Sequence, residues 1–223
     1  MPIPRPLICV ILLALSLSAP VLGQTDQAPP PQKIPVPDAA ALKDASKLVN
    51  EIYSDDLAKA KSIDQKQALA KAMIDAAAQE KNPARNHALL TKAMEIACDA
   101  GDMDLASNAI DKLDAVFWYG ALQARADAAK VIAKNARQPG QLHKLAVQAC
   151  RIIDAAVIAD RYDLADSLSE IALTSARASG DAGLQRETTA KVQQVHETEV
   201  AYAEVKKNYW LCLPKSPPIR TPI

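Results

Sequence analysis

The positions of proline limit most strongly what this chain can fold into. Of its 15 prolines, nine lie at or before Pro37, four lie at or after Pro214, and two, Pro83 and Pro139, lie between them. Proline disrupts a helix interior because it has no backbone N–H and its ring clashes with the preceding turn. Long helices are therefore allowed between residues 38 and 213, whereas the two ends favour extended structure.

Between these borders, apolar residues recur almost throughout with the period of an α-helix. Alanine makes up 43 of the 223 residues, and only eight residues are aromatic. Such a composition suits closely packed helices and disfavours a β-sandwich or barrel, because strands prefer β-branched and aromatic side chains. We predict an all-α fold of about eight antiparallel helices.

Local signals predict where several helices begin. Asp38 is placed to cap the first helix, and Ser62 with Gln65 matches a capping box. Asn82 precedes a proline that would occupy the first helical position, where a missing N–H costs nothing. The later helices are expected to cover about residues 121–137, 141–159 and 182–208.

A short motif recurs where helices meet. Residues 100–106 (AGDMDLA) and 159–165 (ADRYDLA) share Ala, Asp, Leu and Ala at an offset of 59, and a weaker copy, SGDAGL, occupies residues 179–184. These offsets fit units of about 20 residues, each made of one helix and one turn. The apolar stripe of each such helix can be buried only by its sequence neighbours, so we predict an α-solenoid of stacked hairpins.

The turn residues have specific expected roles in this repeat. Gly101 and Gly180 can adopt the left-handed conformation that ends a helix. Asp104 and Asp163 are placed to cap the helices that follow, with Asp102 as an alternative cap in the first copy.

The pattern Ala-x-x-Ala-Gly-Asp-x-x-x-Ala, which ends at Ala106, and the second copy of the motif resemble tetratricopeptide repeats. More closely, residues 34–209 resemble the N-terminal helical region of secreted, tetratricopeptide-like proteins of planctomycete bacteria. The resemblance lies in three stretches, VPDAAALKDASKLVNEIY, ARNHALLTKAMEIACDAGDMDLASNAIDKL and DRYDLADSLSEIALTSARASGDAGLQRETTAKVQQVHE. It implies a tetratricopeptide-like α-solenoid and supplies no catalytic residues. Members of that family often continue into a further domain, so the resemblance also implies an alternative role as the accessory helical part of a longer secreted enzyme or binding protein.

The first 23 residues have the features of a secretory signal peptide. Arg5 precedes an apolar run over residues 7–17, and Val21 and Gly23 provide small residues for cleavage. The run has about half of the roughly 20 residues that a membrane-spanning helix requires. We therefore expect a periplasmic or secreted protein with no membrane span after signal removal, although an uncleaved anchor is the alternative.

These observations divide the chain into four segments. A signal peptide occupies residues 1–23 and a Pro-rich linker residues 24–37. The helical-repeat domain covers residues 38–209, and a Pro-rich tail follows over residues 210–223.

Charge and motif content argue against several functions. The 26 basic residues are balanced by 26 acidic ones without a basic run, so nucleic acid is not an expected partner. His87, His143 and His196 fall on three different predicted helices, and the acidic residues around Gly101 lack the spacing of a calcium loop. Glycine-rich phosphate loops, nucleophile elbows and paired carboxylates do not occur in the sequence. We predict no enzyme activity, cofactor or metal.

The exported part contains three cysteines, Cys98, Cys150 and Cys212. Cys98 and Cys150 fall on or beside apolar helix faces, where buried free thiols or one intramolecular disulfide are both possible. Cys212 lies in the tail and is the best candidate for an exposed or intermolecular thiol.

Two aromatic features are candidates for binding a partner. The cluster Phe117-Trp118-Tyr119-Gly120 lies at a helix junction, where its rings could plug the turn or anchor another protein. The last helix carries Val195, Tyr202 and Tyr209 at intervals of seven and could self-associate, although core packing alone would also explain it. The candidate partner-binding residues are Trp118, Tyr119, Tyr202 and Tyr209. We therefore expect an exported, non-catalytic interaction or scaffold module that holds another envelope or secreted protein or a second copy of itself.

The signal peptide leads to a direct prediction. Cleavage after Gly23 should give a mature chain that begins at Gln24. Mass spectrometry of the protein recovered from the envelope or medium measures this terminus. Retention of Met1 on cytoplasmic protein would contradict it.

Overall fold

A computed structural model describes residues 32–212, with side chains described through Lys207. In this part of the chain 84% of the residues are helical and no strand occurs, which confirms the all-α prediction. The described helices are α1 (Ala39–Ile52), α2 (Ser54–Lys59), α3 (Ile63–Gln79), α4 (Pro83–Asp99), α5 (Met103–Val116), α6 (Ala121–Asn135), α7 (Pro139–Ile158), α8 (Tyr162–Ser179) and α9 (Ala182–Cys212).

The described part thus contains nine helices, one more than the eight expected. The additional one is the six-residue α2, which is separated from α1 by a turn at Tyr53. The apolar periodicity of the sequence indicates which face of a helix is buried, but it does not indicate where a helix is interrupted by such a bend. Three boundaries also differ: α6 ends at Asn135, α7 starts at Pro139, since proline is tolerated at a first helical position, and α9 continues to Cys212.

The predicted caps of the first helices are confirmed. The Asp38 carboxylate accepts a hydrogen bond from a first-turn N–H at 2.9 Å, and Asn82 does the same for α4 at 3.1 Å. Ser62 Oγ accepts from the Gln65 N–H at 3.2 Å while Gln65 Oε1 accepts from the Ser62 N–H at 3.0 Å. These bonds satisfy donors that a helix leaves free at its N-terminus.

The two full copies of the turn motif adopt the same backbone geometry. Gly101 (φ 71°) and Asp160 (φ 55°) hold equivalent positions, and both are left-handed. In each copy the N–H of this residue donates to the carbonyl three positions earlier at 3.1 Å, and the next N–H donates to the carbonyl five positions earlier, at 2.9 and 2.8 Å. Gly180 (φ 78°) forms the first of these bonds, at 3.2 Å. This arrangement is a Schellman motif, which satisfies the last carbonyls of a helix.

One of the predicted caps of the helices after these turns is confirmed. Asp102, the alternative given for α5, accepts a hydrogen bond from the Leu105 N–H at 3.1 Å, whereas Asp104 lies inside the first turn. Asp163 also lies in the first turn of α8 and accepts two hydrogen bonds from Arg161 at 3.0 Å. The predictions of Asp104 and Asp163 as caps were wrong, because both residues lie two positions after the N-cap of their helix.

Packing between the described helices follows the order of the chain. If α1 and α2 are counted as one element, every contact between described helices joins elements that are first or second neighbours along the chain. Connections of two to four residues from α2 onward make consecutive helices antiparallel. The helices next but one, such as α4 and α6 or α5 and α7, therefore run parallel to each other and are also in contact.

The interior is built largely from alanine. Alanine accounts for 20 of the 40 buried apolar residues. Because its side chain is short, helix axes can approach closely, and the remaining volume is filled by Leu, Ile, Met and the fully buried Phe117.

Gly101→Ala is expected to lower the free energy of unfolding more than Gly180→Ala. An alanine in the left-handed region costs roughly 1–2 kcal/mol at either site. A Cβ at Gly101 would also lie 2.7 Å from Gln141 Nε2, which donates to the Ala100 carbonyl at 2.7 Å, so this hydrogen bond would be lost.

At Gly180 a Cβ meets no described atom within 4 Å, which makes Gly180→Ala the matched control. Urea unfolding should show an additional loss of about 1 kcal/mol for Gly101→Ala, the net value of one hydrogen bond. Equal losses for the two variants would contradict this account of the α4–α5 turn.

Candidate interaction surface

The aromatic turn between α5 and α6 places its three rings in three environments. Phe117 is fully buried and fills the turn, which is one of the two roles predicted for this aromatic cluster. Tyr119 is half-buried against the core. The side chain of Trp118 is 69% exposed. Of the three, only Trp118 presents most of its ring to solvent.

A half-buried histidine on α4 supports this turn. The His87 ring packs edge-on against Phe117, with centroids 5.2 Å apart, and against Tyr119 at 6.0 Å. Its Nδ1 lies 3.3 Å from Thr91 Oγ1. Burial lowers the pKa of His87, and burial, with a contribution from the charge of Asp127, raises the pKa of Tyr119. Both rings are therefore neutral at pH 7, and ring packing holds the turn in place.

The chain segment that precedes α1 is fixed to the same turn. The Ile34 N–H donates to the Val116 carbonyl, and the Trp118 N–H donates to the Ile34 carbonyl, both at 2.9 Å. Lys33 forms an ion pair with Asp114 at 2.9 Å. These bonds hold Trp118 in a defined position although its side chain is exposed.

The fixed segment adds apolar surface beside the tryptophan. Ile34, Val36 and Val116 are each 37% exposed, and we call these three residues together with Trp118 the Trp118 patch. Of these four residues, only Trp118 was among the predicted partner-binding residues. Ile34 and Val36 are the two aliphatic residues of KIPVP in the predicted linker, and this pair was the available sign that the segment packs on the fold.

A groove of about 520 Å³ lies between α4 and α6 on the other side of Tyr119, and we call it the α4–α6 groove. Apolar side chains form much of its surface, and each charged residue that lines it is acidic. Its residues are Met94, Glu95, Cys98, Asp99, Tyr119, Gly120, Gln123, Ala124, Asp127, Ala128 and Val131.

The predicted residues of the last helix lie on a different surface. Tyr202 stacks on Tyr162 at the start of α8, with ring centroids 5.2 Å apart, and Lys206 Nζ lies 5.9 Å from its centroid. Val195, one heptad earlier, is buried. Tyr209 lies within α9, but its side chain is outside the described residues. Since the described part of α9 packs on α7 and α8 alone, the structure does not bring these tyrosines together with Trp118 and Tyr119.

Cys98 and Cys150 carry free thiols on α4 and α7, so the structure does not show the alternative of a disulfide between them. Burial, followed by the charges of Asp99 and Glu95, raises the pKa of Cys98 to about 12. Burial also raises the pKa of Cys150, whose Sγ donates to Thr188 Oγ1 at 3.8 Å. Thiols with raised pKa values are poor nucleophiles near neutral pH. The side chain of Cys212 lies outside the described residues.

Two of the acidic residues around Gly101, Asp102 and Asp104, contact other groups of the protein. Asp102 caps α5 and also accepts a hydrogen bond from Gln67 at 2.7 Å. Asp104 accepts one from Gln148 at 2.7 Å and pairs with Lys144 at 3.3 Å. Among the described side chains, those of residues 32–207, no three His, Cys, Asp or Glu converge as metal ligands would. Within residues 32–212, none of the helices combines the length and apolar character needed to cross a bilayer.

The Trp118 patch and the α4–α6 groove are linked through the chain, because the consecutive residues Trp118 and Tyr119 belong to one and to the other. Comparison of the chain with protein-family models, curated proteins and solved structures found no match.

Proposed function

We propose that this protein is an exported, non-catalytic interaction module in which helical hairpins stack as a tetratricopeptide-like α-solenoid and hold another envelope or secreted protein. The exposed Trp118 patch, whose backbone is hydrogen-bonded at Ile34 and Trp118, is the observation that carries the proposal. The signal-peptide features of residues 1–23 support export to the periplasm or medium.

The solenoid part of the proposal is supported by packing and by the repeated turns. A solenoid is quasi-one-dimensional, so each unit contacts only its neighbours. The contacts between the described helices are similarly short in range. When α1 and α2 are counted as one element, no contact extends beyond the second neighbour along the chain. The Schellman bonds after Gly101 and Asp160 match position by position, as expected for two copies of one structural unit.

The binding part of the proposal is supported by the exposure and rigidity of Trp118. Exposed apolar patches on soluble proteins frequently mark interaction sites, and tryptophan is enriched among residues that dominate binding energy. The two backbone hydrogen bonds of Ile34 and the burial of Phe117 fix the position of Trp118 from both sides. Little backbone entropy would be lost when a partner covers this patch.

The non-catalytic part of the proposal is consistent with where shifted carboxyl pKa values occur. The Asn82 N–H lowers the pKa of Glu80, Arg161 lowers that of Asp163, and the Leu184 N–H lowers that of Asp181. All three groups lie at helix turns, where caps and local ion pairs explain the shifts. In an active site we would expect groups with shifted pKa values to lie together in one cleft.

Self-association through α9 is a second candidate, favoured by the exposed surface of that helix. After the buried Val195, the helix leaves Val200 and Val205 exposed, at 48% and 67%, and Tyr202 is covered only in part. A second copy could cover these side chains by helix pairing. The sedimentation behaviour of the purified chain separates this candidate from binding to a different protein.

Trp118→Ala is expected to leave folding almost unchanged and to weaken partner binding. Surface substitutions away from special features change the free energy of unfolding by about 0.5 kcal/mol or less. Loss of a hot-spot residue weakens binding by about 2 kcal/mol or more, a factor of about 30. Thermal melts of the mature chain and affinity measurements with a partner captured from the envelope provide the two readings.

Two further variants serve as controls for this experiment. Ile158→Ala removes an aliphatic side chain that is 85% exposed outside the patch, and it should change neither reading. Phe117→Ala removes a fully buried ring and should lower stability by about 3–5 kcal/mol. Capture that is unaffected by Trp118→Ala, or a loss of stability in that variant comparable to the loss in Phe117→Ala, would contradict the role of the patch.

A further inference from the structure

We propose that the α4–α6 groove binds a short segment of the partner in which Lys or Arg residues flank an aliphatic side chain. This inference rests on the proposed interaction function and names the chemistry of the segment that the surface beside Trp118 would take. It follows from the apolar surface of the groove, from its acidic lining and from its contrast with the groove between α5 and α7.

The groove offers apolar surface that the fold does not cover. Val131 is 42% exposed on α6 although it belongs to a helix whose buried stripe runs through Ala128, Ala129 and Ile132. Met94 on the facing helix α4 also lines the groove. The volume of about 520 Å³ lies in the ordinary range of ligand sites. An aliphatic side chain placed there would cover Val131, and both would lose contact with water.

The length of the groove suits a short segment. Its lining residues on the α6 side extend from Gly120 to Val131. At 1.5 Å per residue this helical stretch is about 17 Å long. An extended chain of about five residues covers the same distance.

The charged side chains that line the groove favour a cationic ligand. Glu95, Asp99 and Asp127 line it, and no Lys or Arg does. Lys92 pairs with Glu95 and Lys130 pairs with Asp127, both at 3.3 Å, beside the lining residues.

Asp99 forms no ion pair with any described residue, so its charge is available to a ligand. The acidic field also reaches the groove surface: after burial, Asp99 contributes to the raised pKa of Cys98, and Asp127 to that of Tyr119. Lys or Arg near these carboxylates would be attracted, whereas an acidic segment would be repelled.

The groove between α5 and α7 differs in its charges. It contains charges of both signs, because Arg125 pairs with Asp111 and Arg151 also lines it. Its lining therefore gives no preference for a cationic segment, whereas the acidic lining of the α4–α6 groove does.

Three labelled peptides test the proposal by fluorescence anisotropy with the mature chain. SKLVRS combines both required features, SELVES reverses the charges, and SKGGRS removes the aliphatic side chains. We expect SKLVRS to bind at least about tenfold more tightly than either of the others, which corresponds to about 1.4 kcal/mol. Its affinity should fall as the salt concentration is raised from about 0.05 to 0.5 M, because salt screens exposed charges.

Matched variants assign the binding to the groove. Asp99→Asn with Asp127→Asn should weaken SKLVRS by about tenfold, while Asp55→Asn with Asp56→Asn removes the same charge from the exposed α2 and should have little effect. Val131→Asn should also weaken binding, and Ile52→Asn, at an exposed aliphatic residue outside the groove, should not.

The inference would be overturned if SKLVRS and SELVES bound equally, or if the folded protein did not bind SKLVRS. It would also be overturned if the groove variants melted normally and still bound SKLVRS with unchanged affinity. These failures are distinguishable from failure of the proposed function. Partner capture that depends on Trp118 without peptide preference removes only the groove assignment. Peptide preference without Trp118-dependent capture removes only the role of the Trp118 patch.

Discussion

The burial of each helix by helices that are close to it in the chain is the constraint on which the rest of this structure depends. Half of the buried apolar residues are alanines, so a single helix carries little hydrophobic area. Stability therefore requires close approach on more than one side, and neighbours one and two places away provide it. The described helices consequently contact only first and second neighbours along the chain when α1 and α2 are counted as one element.

Tight turns are the second requirement of such packing. A helix of about 17 residues must reverse direction within two to four residues, or its stripe would not meet the next one. The left-handed residues Gly101, Asp160 and Gly180 achieve the reversal, and Schellman bonds satisfy carbonyls that would otherwise lack partners. At Gly101 the turn also bonds to Gln141 on α7, so it joins parts of the chain that are 41 residues apart.

The sequence predicted those features of the fold that have a local cause. Helical period, the caps at Ser62 and Asn82, and the left-handed glycines are each determined within one turn of chain, and they were predicted. The bend at Tyr53 was not, because no proline, glycine or side-chain cap marks it. The caps predicted at Asp104 and Asp163 were two positions after the N-caps of their helices, a shift that sequence pattern alone does not resolve.

The candidate surface could be predicted only in part, for the same reason. Trp118 and Tyr119 were noticed as rare aromatic residues, but their different exposures depend on tertiary packing. Ile34 joins the patch through backbone hydrogen bonds, which leave no signature in its own side chain. The groove depends on the pairing of α4 with α6, which the sequence pattern does not report.

Hydrogen exchange measured by mass spectrometry on a Leu164→Asp variant tests the short range of packing most directly. Leu164 is 3% exposed in the first turn of α8, and an aspartate there would bury an unpaired charge. Because α8 packs on α6, α7 and α9 but not on α3 or α4, we predict loss of protection in α7–α9 while α3 and α4 remain protected. Simultaneous loss of protection in all described helices would contradict the account.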